Sequence, residues 1–231
     1  MPQQTGGHTL KAFDQDIERL RALISQMGGL AEHAIGEAMR CLVQRDNEGA
    51  ARVVADDKKL DELEVETERR AVQLIALRAP MAADLRDVVA ALKISGVVER
   101  IGDYAKNIAR RVPQIDSASK IEPMSLLPEM ARMATGMVHD VLDAFVERDA
   151  KVAVQVCERD SAVDDFYDSI FRTLLTHMME NPHNIGQSAH LLFVAKNLER
   201  VGDHATNIAE MVYYAATGEH MVDPAKLRGG L

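Results

Sequence analysis

Two short acidic patterns recur along this 231-residue chain. Asp57 and Asp61, Glu99 and Asp103, Asp160 and Asp164, and Glu199 and Asp203 form pairs four residues apart, a spacing that stacks both carboxylates on one face of a helix. Like charges so placed cost about 0.2–0.5 kcal/mol per pair on an isolated helix. The cost grows severalfold where two pairs meet away from water with no cation between them. A single acidic pair ordinarily sits on a solvated helix surface. Four pairs in matching places suggest more, because four carboxylates at one point make an all-oxygen site for a hard cation: magnesium, manganese, calcium or iron. Zinc in its usual Cys/His setting is disfavoured, since the motifs contain no thiolate and only His204 lies close to them. From spacing alone, a metal site and a merely acidic groove both stand.

Six long helices must position these pairs. From about Leu10 to Arg45 the residues Leu20, Leu23, Ile24, Met27, Leu30, Ala34 and Met39 recur at three- and four-residue steps. A second helix is expected from about Ala50 to Leu77, ending before Ala79-Pro80, and a third from about Ala82 to Arg111, ending at Val112-Pro113. Three more follow, from about Met124 to Glu147, Lys151 to Glu180 and Ile185 to Thr217. Short connections make neighbouring helices antiparallel, so each half is an up-down-up triple. The halves repeat. ERIGDYAKNIA at Glu99–Ala109 returns as ERVGDHATNIA at Glu199–Ala209, offset by 100 residues, and Asp57-x-x-x-Asp61 returns as Asp160-x-x-x-Asp164, offset by 103. The expectation is an all-α tandem of two antiparallel three-helix bundles, residues 10–112 and 124–217, joined by a linker at 113–123 and flanked by flexible tails at 1–9 and 218–231.

Helical periodicity gives the third helix a core stripe of Ile94, Val97, Val98, Ile101, Ala105 and Ile108, with Glu99 and Asp103 roughly opposite. The acidic face is not simply wet, because it runs upstream into Leu85, Val88, Val89 and Leu92. The Asp160/Asp164 stripe continues as Tyr167, Phe171 and Met178, whereas the Asp57/Asp61 stripe continues as polar Glu64 and Glu68. Asn107 and Asn207 read as ordinary late-helix polar residues, and Asp84-Leu85-Arg86 as a helix-start arrangement. Glu180-x-x-His183 resembles a di-iron ligand pair, but Pro182 interrupts the helix between its members. Gly28-Gly29, inside a helical stripe, marks close packing or a kink. There is no glycine-rich phosphate loop, nucleophile elbow or Cys/His nucleophile arrangement, and nothing reads as catalytic.

Composition agrees with helices and narrows the partners. Aromatic residues are only 4% of the chain, with no Trp, 14 Gly and 7 Pro against 12 Met. A formal charge of −9 repels phosphate backbones, which argues against nucleic-acid binding. Cys41 and Cys157 allow at most one disulfide and cannot build a structural zinc site. No run of about 18 apolar residues is present and the first residues lack a signal-peptide core, so the expectation is a cytoplasmic chain that meets a membrane only through a partner.

Asp57-Lys58-Lys59-Leu60-Asp61, Pro80 to Arg86, ERIGDYAKNIA, Asn181-Pro182 and LERVGDHATNIAE at Leu198–Glu210 resemble the PhoU family over about residues 10–217. That resemblance implies two three-helix bundles, a homodimer and a negative regulator of phosphate uptake and of the phosphate-starvation response. It implies a non-enzymatic adaptor between the phosphate ABC transporter ATPase and a membrane sensor histidine kinase, cytoplasmic and peripheral to the inner membrane through those partners. It also implies metal ligation, in some members by multinuclear clusters, here by Asp57, Asp61, Glu99, Asp103, Asp160, Asp164, Glu199 and Asp203. The first copy has Tyr104 where the second has His204. On the residues alone, two alternatives stay open: a helical carboxylate metalloenzyme of the di-iron type, and a metal-free helical scaffold.

Overall fold

Matching caps at matching places start the long helices. Asp46 accepts a hydrogen bond from the Gly49 N–H at 2.8 Å, and Asp149, its counterpart in the second half, accepts from the N–H groups of Lys151 and Val152 at 2.8 and 3.1 Å. Just before each cap, Arg45 and Arg148 take a left-handed φ of 58° and turn the chain back on itself. A computed structural model describes residues 5–115 and 122–221. Among them the helices are α1 (Thr5–Gln44), α2 (Asn47–Asp56), α3 (Lys58–Arg78), α4 (Ala83–Ala109), α5 (Leu127–Glu147), α6 (Ala150–Glu180) and α7 (Ile185–Thr217), with short 3-10 turns at Val112–Gln114, Glu122–Leu126 and Pro182–Asn184. No strand occurs among the described residues.

These segments make six rods, because α2 and α3 continue one another through Asp57, which keeps helical angles (φ −53°, ψ −36°). Only the hydrogen bonding tightens there, with the Leu60 N–H reaching the Asp57 carbonyl at 2.9 Å. α1, α3 and α4 pack as one bundle and α5, α6 and α7 as the other, which is the expected all-α tandem. The bundles meet through α4 on α7 and α1 on α5. Close packing explains Gly28: a Cβ there would overlap the Leu142 side chain of α5, whereas Gly29 faces open space. The core is aliphatic, with Leu20, Ile24, Met27, Ile94 and Ile101 in the first bundle and Met130, Met137 and Ile170 in the second all fully buried.

Three boundaries differ from the sequence expectation. α1 begins at Thr5, within the expected tail, where no apolar stripe marks a helix. α5 begins at Leu127, after a 3-10 turn over Glu122–Leu126. The described part of the C-terminal tail is fastened. Gly218 takes φ 80° and donates its N–H to the Tyr214 carbonyl at 2.8 Å, and His220 stacks on the Tyr214 ring at 4.8 Å. Glycine permits that left-handed step. Residues 1–4, 222–231 and the 116–121 part of the expected linker lie outside the described residues. Cys41 and Cys157 are not joined in a disulfide.

Candidate metal centre

The acidic pairs face each other across the helix contacts α3–α4 and α6–α7, and a glycine in each ERxGD motif permits the close approach. A Cβ on Gly202 would stand 3.3 Å from Asp160 Oδ1 and 3.4 Å from Val163 Cγ1, and a Cβ on Gly102 would overlap the Leu60 side chain and stand 3.6 Å from Asp57 Oδ1. The glycine therefore lets the first aspartate of each D-x-x-x-D pair lie against the partner helix.

In the second bundle, Asp164, Glu199 and Asp203 each offer an oxygen, and these atoms lie within 4.8 Å of one another. Asp160 faces the same point. Burial first, and then the charges of Asp164, Asp203 and Glu199, push its carboxyl up to about 6. Burial and Asp203 raise Asp164 as well. Glu199 Oε1 accepts a hydrogen bond from Lys196 Nζ at 2.5 Å. Glu199 Oε2 and Asp160 Oδ1 are buried with no hydrogen-bond partner. A buried carboxylate oxygen without a donor is costly. The all-oxygen set of Asp164, Glu199 and Asp203, with the donor-less Asp160 oxygen on the facing helix α6, fits a hard cation, and this cluster could hold one.

The first bundle is arranged differently. Lys106 Nζ donates to Asp57 at 2.5 Å and to Asp103 at 2.9 Å, inserting a cation of the protein's own between the two helices. Those bonds hold the ammonium well above the usual lysine range. Glu99 is pushed up to about 7, by burial first and then by Asp103, Glu64, Asp61 and Asp57. All four expected carboxylates therefore converge here too. Among the described residues, however, only the second bundle brings three ligand oxygens within 4.8 Å.

Sequence reasoning missed Glu64, Lys106 and Lys196. Burial, together with Glu68 and Asp61, raises Glu64, and a Cβ on Gly96 would lie 3.1 Å from its Oε1. At the offsets of the repeat, Glu64 corresponds to Tyr167 and Gly96 to Lys196. There the lysine lies over the tyrosine ring, 5.3 Å from its centroid. The available signal was spacing: Lys106 follows Asp103 by three residues and Lys196 precedes Glu199 by three.

His204 does not face the cluster. Its Nδ1–H donates to the Arg200 carbonyl at 2.9 Å, and its Nε2 accepts from the Tyr104 hydroxyl at 3.5 Å. Burial lowers its pKa, which favours the neutral ring this pairing requires. Tyr104 and His204 are equivalent motif positions, and their rings meet edge-on with centroids 5.2 Å apart. α4 and α7 therefore cross near an approximate two-fold axis with one acidic cluster on either side. Glu180 and His183 lie on different elements, the end of α6 and the following 3-10 turn, so they form no helical ligand pair.

Residues 24–112 and 127–212 match the family model described as PhoU domain. The chain belongs to the PhoU domain family. Each matched PhoU segment carries one acidic quartet. A Zymomonas mobilis protein named phosphate-specific transport system accessory protein PhoU homolog is 55% identical over 223 residues, covering 96% of this chain and 93% of its own length. A Caulobacter vibrioides protein of the same name is 48% identical over 218 residues, covering 93% and 94%. The crystal structure of PhoU from Pseudomonas aeruginosa superposes with a TM-score of 0.85 at 34% identity, over 90% of this chain and 100% of that one.

Proposed function

We propose that this chain is an accessory regulator of phosphate transport that restrains uptake and the phosphate-starvation response. It acts as a non-enzymatic adaptor between the phosphate ABC transporter ATPase and a membrane sensor histidine kinase, working as a homodimer. Family membership and the names of its relatives support the phosphate-transport setting. The observation that carries the adaptor reading is the duplicated meeting of acidic helix pairs, with buried, donor-less oxygens on Asp160 and Glu199.

The ligands of the proposed metal sites are Asp57, Asp61, Glu99 and Asp103 in the first repeat and Asp160, Asp164, Glu199 and Asp203 in the second. A bound hard cation supplies positive charge, not turnover. The carboxylates would then hold two helices of each bundle at fixed spacing. Lys106 already does part of that work between Asp57 and Asp103. The remaining acidic surface presents a complement to basic elements of a partner, with association that weakens as salt rises.

Capture of the purified transporter ATPase and of the kinase's cytoplasmic domain on the immobilised full chain tests this reading. Both should bind at about 0.15 M salt and release towards 1 M, as screening shortens from about 8 to 3 Å. Glu199→Gln/Asp203→Asn should weaken capture at least about tenfold, the effect of roughly 1.4 kcal/mol. No capture under any phosphate or metal condition would contradict the proposal.

A further inference from the structure

A concavity of about 300 Å³ opens between α1 and the C-terminal half of α3, and Arg19, Arg69, Arg70 and Arg78 all line it. This is a concentration of positive charge on a chain whose net charge is −9. Two carboxylates hold the four guanidinium groups in place. Glu66 accepts from Arg69 Nε at 2.9 Å and from Arg70 Nε at 2.5 Å, while Asp16 accepts from Arg78 Nε and Nη2 at 3.3 Å and from Arg19 Nη1 at 3.5 Å. Four cations against two anions leave an excess of two positive charges. Arg70 is engaged through Nε alone in these contacts, which leaves its two Nη groups as donors.

One of the four has an ordinary explanation. Arg78 closes the last turn of α3, where the helix dipole favours a cation. Arg19, Arg69 and Arg70 each pair with an acidic residue three or four positions earlier on their own helix, which does not explain why three such pairs converge with Arg78 on one concavity. At the 103-residue offset Glu66, Arg69, Arg70 and Arg78 become Ser169, Arg172, Thr173 and Asn181, so the same three-helix scaffold is built without this set. The acidic quartets were duplicated; the arginine set of α3 was not carried into α6.

We propose that this pocket binds a dianionic phosphoryl group, either as free inorganic phosphate or as the terminal phosphate of a small phosphate ester. Planar guanidinium forks held by one edge present their remaining N–H groups to tetrahedral oxyanions, and such charge-assisted bonds are the stronger kind. The excess of two charges matches a dianion, and the volume leaves room for an ester beyond the phosphate.

Isothermal titration calorimetry of the purified full chain with inorganic phosphate, AMP and ATP tests the proposal. Arg69→Gln/Arg70→Gln and Arg19→Gln/Arg78→Gln approach the pocket from its two sides, and far-UV circular dichroism verifies that each variant is folded. Both should weaken binding at least about tenfold, whereas Arg172→Gln, at the α6 counterpart of Arg69, should leave it unchanged. Binding should also survive Glu99→Gln/Asp103→Asn/Glu199→Gln/Asp203→Asn, which separates the pocket from anion capture by metal at the carboxylates. Affinity for inorganic phosphate identifies the free ion as a ligand, and affinity for the nucleotides alone identifies an ester; either supports the pocket. No binding by the native chain, or equal binding by the native chain and both folded arginine variants, overturns it.

Discussion

At Glu99 and Asp160, burial first and then the neighbouring carboxylates lift the carboxyls to about 7 and about 6. A carboxyl raised in the folded state binds its proton more tightly there than in the unfolded chain, where values near 4.3 and 3.9 apply. The fold is therefore favoured by acid: the contribution of these groups is complete below about pH 4 and is lost as pH rises through about 6 and 7. Thermal melts of chelator-treated protein should give a higher Tm at pH 5.5 than at pH 8, and a hard cation should raise the pH 8 value while helping little at pH 5.5, because protons compete for the ligand oxygens. A flat profile would show that these carboxyls are not raised in the folded chain. Asp160→Asn removes one buried charge and should raise the metal-free Tm at pH 8 by about 2–4 °C, the response of a chain this long to roughly 1 kcal/mol, while lowering metal content. The stacking of each acidic pair was legible in the sequence because i,i+4 spacing fixes a helix face. Lys106 was not, because its second contact, Asp57, lies on another helix. Glu64 read as a polar continuation of a stripe, and only the approach of α4 at Gly96 brings it to the cluster.

Helix ends were most legible where one residue type forces the backbone. Pro182 and Gly218 bracket α7 at Ile185–Thr217, and Asp149 starts α6. The start of α1 was not legible, because Gly6 and Gly7 argue against a helix and no stripe argues for one. Nor was the tightened turn at Asp57, which lies within an otherwise unbroken helical pattern. The glycine of ERxGD has a job that only the helix pair reveals: a Cβ on Gly202 would stand 3.3 Å from Asp160 Oδ1 and 3.4 Å from Val163 Cγ1. Gly202→Val should separate α6 from α7. We expect a loss of about 1–3 kcal/mol from overpacking, read as a lower urea midpoint with unchanged slope, together with reduced metal content. An unchanged midpoint would mean that the helices do not depend on this approach.

Across the whole molecule, the two repeats are joined by one buried carboxylate as well as by apolar packing. Asp87 on α4, 8% exposed, meets Arg21 of its own repeat at 3.1 Å and Arg148 of the other at 3.3 Å. Arg148 and Arg86 both reach the Ala215 carbonyl at 3.4 Å, so the corner before α6 and the end of α7 are held together. Asp87→Ala leaves two half-buried guanidinium groups without this partner and should cost about 2–3 kcal/mol, below the full range for a buried pair because both arginines retain some solvent. Chemical denaturation reads that loss, and a change under about 0.5 kcal/mol would assign the join to apolar packing alone. The tandem itself was legible because the motif recurs at a fixed offset; the meeting of Tyr104 with His204 across the approximate axis was not, since a repeat does not state how its copies are docked. Whether the acidic clusters hold a hard cation is read by elemental analysis of native and Glu199→Gln/Asp203→Asn protein, both purified without chelators and freed of loosely held ions by gel filtration. The native chain should contain magnesium, manganese, calcium or iron, and that content should fall by at least half in the variant. Equal content in the two samples, or none in either, would contradict a metal centre at these carboxylates.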